Sequence, residues 1–341
     1  MLSHMLRMRS LAVAMAAAGC AAPAPPALAG PAVADRCRPL EAGALPQVVE
    51  LDRCDVRGRV IRGVSGAAAT VPADGTSVTA RTLRPEGTAE LEIRVDGKAR
   101  TATIVERPPE ARPHPAAAPL RACSDTARRL ATVRWPRGSR IDWHYYQGSA
   151  AHSGMRPALA ATAVRRGVSG AVNARTDCVR GSTTYRPKPD IGQRYAGTTR
   201  AYPNIGGPGD CRDRDGVNSF GYATLSTVDA DALAVTCTWH VGGTILEGDI
   251  AIQTNGKRWW TPRSQRRGSA QPVPGCPAGR YEAVSVITHE MLHVLGLQHY
   301  EGARHQNLSM SPYVRTCDDR AATLGRGDYQ GLIALYGADS R

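Results

Sequence analysis

The sequence predicts an α/β domain preceded by a small β-rich module, and three observations carry this. Short β-like runs with turn punctuation fill residues 35–106, a Pro/Ala-rich run follows at 107–119, and β-like runs then mix with helically spaced apolar residues through 120–341.

In the first stretch, QVVEL, GRVIRGV, TSVTART, AELEIRV and ARTATIV are separated by Gly, Pro and Asp. Asp96-Gly97 stands between the last two runs, a hairpin signal. RPPEARPHPAAAP, residues 107–119, reads as an extended, semi-rigid linker. Beyond it, SRIDWHYY reads as a strand and MRPALAATAVRRGVSGAVNA as a helix with Ala and Leu on one face. A long turn-rich stretch runs from Asp177 to about Ser219. ALAVTCTWHV and EGDIAIQTN are β-rich and close enough in sequence to be neighbouring strands. YEAVSVITHEMLHVLG is helical, and GRGDYQGLIALYG is a last helix stopped by Gly337. Mixed strands and helices around one core give the α/β class.

Composition narrows the setting. Of 341 residues, 42% are hydrophobic, enough for a sizeable core, and Phe220 is the single phenylalanine, so Val, Ile, Leu and Ala must fill it. Arg7 and Arg9 precede the apolar run LAVAMAAAG, which fits an export signal over residues 1–29 and is too short for a permanent membrane span. Cleavage after Ala29 competes with a lipoprotein route through Cys20, so the chain is expected to be secreted or tethered to the cell surface. Either route takes Cys20 out of the pool and leaves eight cysteines, an even number at wide spacings that reads as disulfides. Cys37 with Cys54 is the expected pair.

The net charge of +13 is nearly all arginine, with Lys98, Lys188 and Lys257 as the only lysines. No recognition helix, zinc finger or basic stripe interleaved with aromatics accompanies it, so a nucleic-acid role is set aside. Solvated surface arginine accounts for the charge, with association to an anionic cell envelope as the other reading.

The chemistry lies in HEMLHVLGLQH, His289 to His299. On a helix, positions i and i+4 share a face, so His289 and His293 can present two imidazoles to one ion. A straight helix would carry His299 about 15 Å along the axis from His289. Gly296 removes that obstacle, because glycine takes the left-handed conformation that ends a helix and turns the chain back. Three neutral nitrogens leave a tetrahedral zinc one open position, which is the pattern of a catalytic site. Glu290, one residue past the first ligand, can flank that position as general base.

This motif resembles the signature of the metzincin zinc endopeptidases, and further matches resemble their matrixin-like branch. LSMSP supplies Met310 eleven residues after His299, where metzincins carry a structural methionine turn, with Pro312 two residues on. DGVNSFGYATL, ILEGDIAIQTN and DYQGLIALYG also look matrixin-like. The resemblance covers roughly Ile141 to Gly337. It implies a twisted, mostly parallel sheet with two main helices, a cleft crossing the domain, peptide substrate bound along an edge strand, and one catalytic zinc. The chain departs from the pattern at Leu292, where matrixins carry glycine, and at Tyr300, where they carry serine. No cysteine-switch segment precedes the domain. A different zinc hydrolase, such as an amidase on cell-wall peptides, and a non-catalytic envelope-binding protein on this scaffold are the competing readings.

Weaker candidates surround this centre. Tyr313 is a candidate for reaching the cleft, and His305 is expected on an exposed loop. Asp210, Asp213, Asp215 and Asn218 form an oxygen-rich loop, a candidate for Ca2+ that a solvated turn also explains. Glu247 and Asp249 form an acidic pair expected to order its strand or hold a cation. His240 is the one histidine between His152 and His289, too few for a second zinc site. The N-terminal module reads equally as a propeptide, an inhibitory cover or a binding module.

Overall fold

A computed structural model describes residues 37, 40–107, 118–226, 231–262, 273–300 and 302–340. The expected export signal with Cys20, and most of the expected linker, lie outside the described residues.

The N-terminal region contributes β1 (Val48–Glu50), β2 (Val60–Arg62), β3 (Ala68–Thr70), β4 (Ser77–Arg84), β5 (Gly87–Asp96) and β6 (Thr101–Arg107). After it come β7 (Arg140–Tyr146), α1 (Pro157–Val172), β8 (Gly192–Thr199), β9 (Asp210–Cys211), β10 (Asn218–Ala223), β11 (Ala234–Val241) and β12 (Thr244–Gln253). The chain closes with β13 (Trp259–Trp260), β14 (Tyr281–Glu282), α2 (Ala283–Val294) and α3 (Arg326–Tyr336).

Nine strands form one sheet in the order β1-β6-β5-β4-β11-β12-β10-β7-β8. From β12 outward the pairings β12–β10, β10–β7 and β7–β8 are parallel, and every pairing on the β1 side is antiparallel. The β-rich region therefore does not stand apart. Its strand β4 pairs antiparallel with β11 over seven positions, Leu83 with Ala234 through Ser77 with His240. A second, three-stranded sheet joins the regions again, with β3 between β2 and β9.

Two apolar cores lie on opposite faces of the large sheet. One holds α1, α2 and α3 against Phe220, Tyr222, Ala234, Ile250 and Ile252. The other packs Ile61, Ala69, Val71, Val78, Ala80 and Leu91 of the N-terminal region against Val235, Cys237, Trp239 and Ala251. Strand alternation sends neighbouring residues of β11 to different cores.

The expected hairpin at Asp96-Gly97 forms between β5 and β6. Its turn spans 97–100: Asp96 Oδ1 accepts the amides of Lys98 (2.9 Å) and Ala99 (2.8 Å), and Arg100 takes the left-handed position at φ 52°. One local reading changes. The stretch from Asp177 to Ser219 contains β8, hidden because GQRYAGTT is an edge strand with intermediate and exposed residues and no apolar alternation.

Four disulfides form, Cys37–Cys54, Cys123–Cys178, Cys211–Cys237 and Cys276–Cys317. The first lies within the N-terminal region and the other three within residues 123–317.

Candidate metal centre

All twelve residues of α2 are buried. Glu282 caps its start by accepting the Ser285 amide at 2.6 Å. Gly167 of α1 permits a close crossing, since a Cβ there would lie 2.5 Å from Ile287 Cγ2. At the far end Gly296 adopts φ +90°. Its amide bonds to His293 O and the Leu297 amide to Leu292 O, both at 2.9 Å, the paired bonds of a Schellman stop. Any side chain at Gly296 would meet Val133 O at 2.6 Å. Trp135 Nε1 and Tyr336 OH donate to the terminal carbonyls of Val294 and Leu295, at 2.9 and 2.7 Å. The reversal is thereby fixed from several sides.

It brings the three histidines together. His299 Nε2 lies 3.0 Å from His289 Nε2 and 2.8 Å from His293 Nε2. His289 Nδ1 bonds to Ser309 O at 2.7 Å and His293 Nδ1 to Leu297 O at 2.9 Å. A carbonyl only accepts, so each Nδ1 carries the proton and each Nε2 directs a lone pair inward. Burial lowers His289 to about 4 and holds His293 and His299 well below the usual histidine range, so the rings are neutral. Converging lone pairs at this spacing repel unless a cation lies between them. Tetrahedral zinc with bonds of about 2.0–2.1 Å sets its donors roughly 3.3 Å apart, so the triad fits after opening by a few tenths of an ångström. Among the described residues this is the only group of three or more His, Cys, Asp or Glu ligands brought within 4.8 Å of one another.

Glu290 is wholly buried. Its Oε2 accepts from Thr236 Oγ1 of β11 at 2.6 Å, and Oε1 has no hydrogen-bond partner. Burial pushes the carboxyl up to about 8, against the Thr236 bond and the nearby Arg81 charge. Met310 is buried. The turn that holds it hangs on Asp328 of α3: Oδ2 accepts the amides of Ser309 (2.9 Å) and Gly325 (2.7 Å), and Oδ1 accepts the Met310 amide (3.2 Å) and Tyr300 OH (3.0 Å). Tyr300, one of the departures from the matrixin pattern, thus has a structural task. Leu292, the other, is buried in the helix-side core.

The remaining candidates divide. Tyr313 lines a cavity that also includes His289, Leu308 and Val314. His305, expected on an exposed loop, is instead half-buried in a short helical turn (Ala303–His305), because its Nδ1 pairs with the buried Asp125 at 2.9 Å. Glu247 accepts Asn204 Nδ2 and the amides of Asp215 and Gly216, while Asp249 accepts the amides of Asn204 and Ser219. The acidic pair therefore pins the 204–219 loop to β12. In the oxygen-rich loop, the Asn218 amide is spent on Asp142 O and the Gly248 amide, Asp215 accepts the Val217 amide, and Asp210 faces Arg212. His240 is buried on β11, 4.0 Å from Glu92.

Sequence reasoning missed Arg81, Thr88, Thr236 and Asp328. Asp328, an acid in the first turn of a helix opened by Gly325, had a readable capping signal. The other three come to the site through strand pairing, which leaves no local mark.

Residues 227–337 match the matrixin family. None of the curated proteins compared with the chain matches it. The segment that matches holds the metal centre, and its His289, His293 and His299 form a triad that fits a metzincin zinc site.

Proposed function

We propose that this protein is a secreted endopeptidase that hydrolyses peptide bonds with zinc held by His289, His293 and His299 and with Glu290 as general base. The observation that carries the reading is the convergence of three neutral Nε2 atoms, two of them from the helix that also carries the buried Glu290 with its unpaired oxygen. Bound there, zinc supplies Lewis acidity and brings the pKa of a water toward about 7. A divalent charge on the neighbouring nitrogens also favours the carboxylate form of Glu290, offsetting the effect of burial. Thr236 fixes Oε2, so Oε1 is the atom that accepts the proton from the attacking water and delivers it to the departing amine. Ser309 and Leu297 carbonyls hold the imidazole planes and tautomers. The cavity beside His289, walled by Leu308, Tyr313 and Val314, gives a substrate side chain a place to sit. Met310 packs beneath the centre and is not a ligand.

Export is supported by four disulfides, which persist in oxidising compartments. Among the described residues no helix is long and apolar enough to cross a membrane.

The test is hydrolysis of casein, a peptide library and peptidoglycan by the zinc-loaded chain, taken intact and after limited proteolysis. Chelator-treated protein and Glu290→Ala serve as controls. Peptide hydrolysis that chelation and Glu290→Ala both abolish is expected. Activity persisting in Glu290→Ala removes that residue from its role, and turnover of peptidoglycan alone favours an amidase.

A further inference from the structure

A group of cations gathers away from the metal centre, along the outer face of α1. The inner face of this helix is apolar and closely packed: Ala163, Val164, Gly167, Val168 and Ala171 are buried, and Gly167 crosses α2 at Ile287. The outer face carries Thr162, Arg165, Arg166 and Ser169 at helical spacing, with Asn173 at the C-cap, so these side chains form one stripe. A groove of about 510 Å³ runs between this stripe and the loop after the helix, whose Arg175, Thr183 and Thr184 form the other wall.

The loop is held on several sides. The Arg175 amide bonds to Gly170 O at 2.8 Å, and the Arg175 carbonyl accepts the Leu324 amide at 2.7 Å. Thr176 Oγ1 donates to Leu324 O at 2.8 Å, its amide donates to Thr183 O at 2.9 Å, and Cys178 is bridged to Cys123. Backbone bonds and a disulfide therefore set both walls of the groove in advance of any ligand.

The charges in the groove lack counter-charges. Three guanidinium groups line it and no carboxylate does. Arg175 makes no side-chain hydrogen bond or ion pair among the described residues. Arg165 lies over the Tyr195 ring, 5.7 Å from its centroid, and its Nη2 is 3.3 Å from Thr162 Oγ1. Arg166 Nη1 is 3.4 Å from Pro262 O. These neutral contacts hold the side chains without cancelling their charge. Lys188 adds a fourth cation, its Nζ 3.1 Å from Asn173 Oδ1, while Asn173 Nδ2 donates to Ser169 O at 2.9 Å. Asp177, the acid nearest in sequence, accepts instead from Thr323 Oγ1 at 3.0 Å. Burial, and after it the charge of Arg175, hold Arg166 below the usual arginine range, with Glu282 acting in the opposite sense. Like charges held together in a half-buried groove cost free energy unless an anion joins them.

The donor set narrows the anion. One guanidinium fork satisfies a planar carboxylate. A tetrahedral phosphate group carries more acceptor oxygens and can take forks from both walls together with hydroxyl donors such as Ser169 and Thr184. We propose that the groove between α1 and the 174–185 loop is a binding site for phosphate groups, free or esterified in an anionic polymer of the cell envelope. The proposal does not depend on the peptidase reading. It gathers part of the +13 net charge into a built site, and it leaves the metal centre free, because no residue of the groove belongs to that centre.

The experiment titrates the full chain calorimetrically with inorganic phosphate, with a soluble poly(glycerol phosphate) and with poly-glutamate of matched charge. Salt at about 150 mM screens diffuse attraction. Two double variants of equal net charge are compared with wild type: Arg165→Ala/Arg175→Ala in the groove, and Arg53→Ala/Arg57→Ala on the exposed surface of the N-terminal region. Binding of the phosphate probes should fall at least about tenfold in the groove variant and stay within about twofold in the other. Poly-glutamate should bind wild type at least about tenfold more weakly than the phosphate polymer. Tighter binding of the polymer than of inorganic phosphate assigns the site to esters, and the reverse order assigns it to the free ion. An equal loss in both variants overturns the proposal, since diffuse attraction to net charge then explains the binding. Poly-glutamate bound as tightly as the polymer overturns it in favour of acidic peptides, and wild type that binds neither phosphate probe overturns it outright. Should the groove variant fail to fold, phenylglyoxal labelling of wild type decides. The phosphate probes should shield Arg165 and Arg175 but not Arg53, and labelling that the probes leave unchanged sinks the proposal.

Discussion

Residues 40–107 and residues 118–340 share one sheet but are built on opposite plans. The first region is antiparallel throughout the large sheet and has no α-helix among its described residues. On the site-facing side of β4 and β5 it carries charge, with the Arg81–Glu90 pair buried and Glu92 paired to Arg94. The second region is mostly parallel, with three helices against one face and an apolar interior. The first completes its core only with residues of the second, among them Val235, Trp239 and Ala251. The difference teaches that a segment can look like a module in sequence yet be part of a shared sheet, because its best-buried strand finds its partner more than 150 residues away.

The comparison breaks most visibly at the chemistry. Glu290→Ala should lower peptide turnover by about 10²–10⁴-fold in the cut protein without changing zinc content, checked by steady-state kinetics and elemental analysis. An equal loss on altering a residue of 40–107 would place catalytic machinery in the N-terminal region.

Glycine gives the next contrast. Gly296→Ala demands a left-handed alanine pressed against Val133 O, and should cost about 2–4 kcal/mol in denaturant unfolding and weaken zinc binding. Gly97→Ala, with nothing within 4 Å of the added carbon and no left-handed backbone, should stay within about 0.5 kcal/mol. Reversal of that order would show that the helix stop does not set the site.

Asp328→Asn comes third. Losing charge at an acceptor of three buried amides and one hydroxyl should cost about 1–3 kcal/mol. It should also lower zinc affinity about 10–100-fold, because Ser309 orients His289 and is itself held by Asp328. Isothermal titration with zinc checks this. Smallest of all, Arg53→Ala removes an exposed pair with Glu50 and should change stability by less than about 1 kcal/mol.

The metal centre was legible because its geometry is local. The i, i+4 spacing of His289 and His293 and the turning power of Gly296 follow from helix geometry alone, and the structure places all three as that geometry requires. Helices α1, α2 and α3 were legible for the same reason. Strand β8 was not, since an exposed edge strand of Gly, Thr and Arg needs no apolar alternation. The joining of the two regions was not either. Nothing in TSVTART says that Arg81 will stand opposite Thr236, because strand partnership is set by twist, packing and the cores on both faces of the sheet. The same limit hid Thr88 and Thr236, whose importance lies wholly in what they touch.

Anomalous diffraction at the zinc edge, on crystals of the zinc-loaded protein, tests the metal assignment most directly. The account predicts a single strong peak about 2.0–2.1 Å from the Nε2 atoms of His289, His293 and His299, with Glu290 alongside and no protein atom in the fourth position. A peak bound elsewhere, or at this site with one of the three rings turned away, would contradict it.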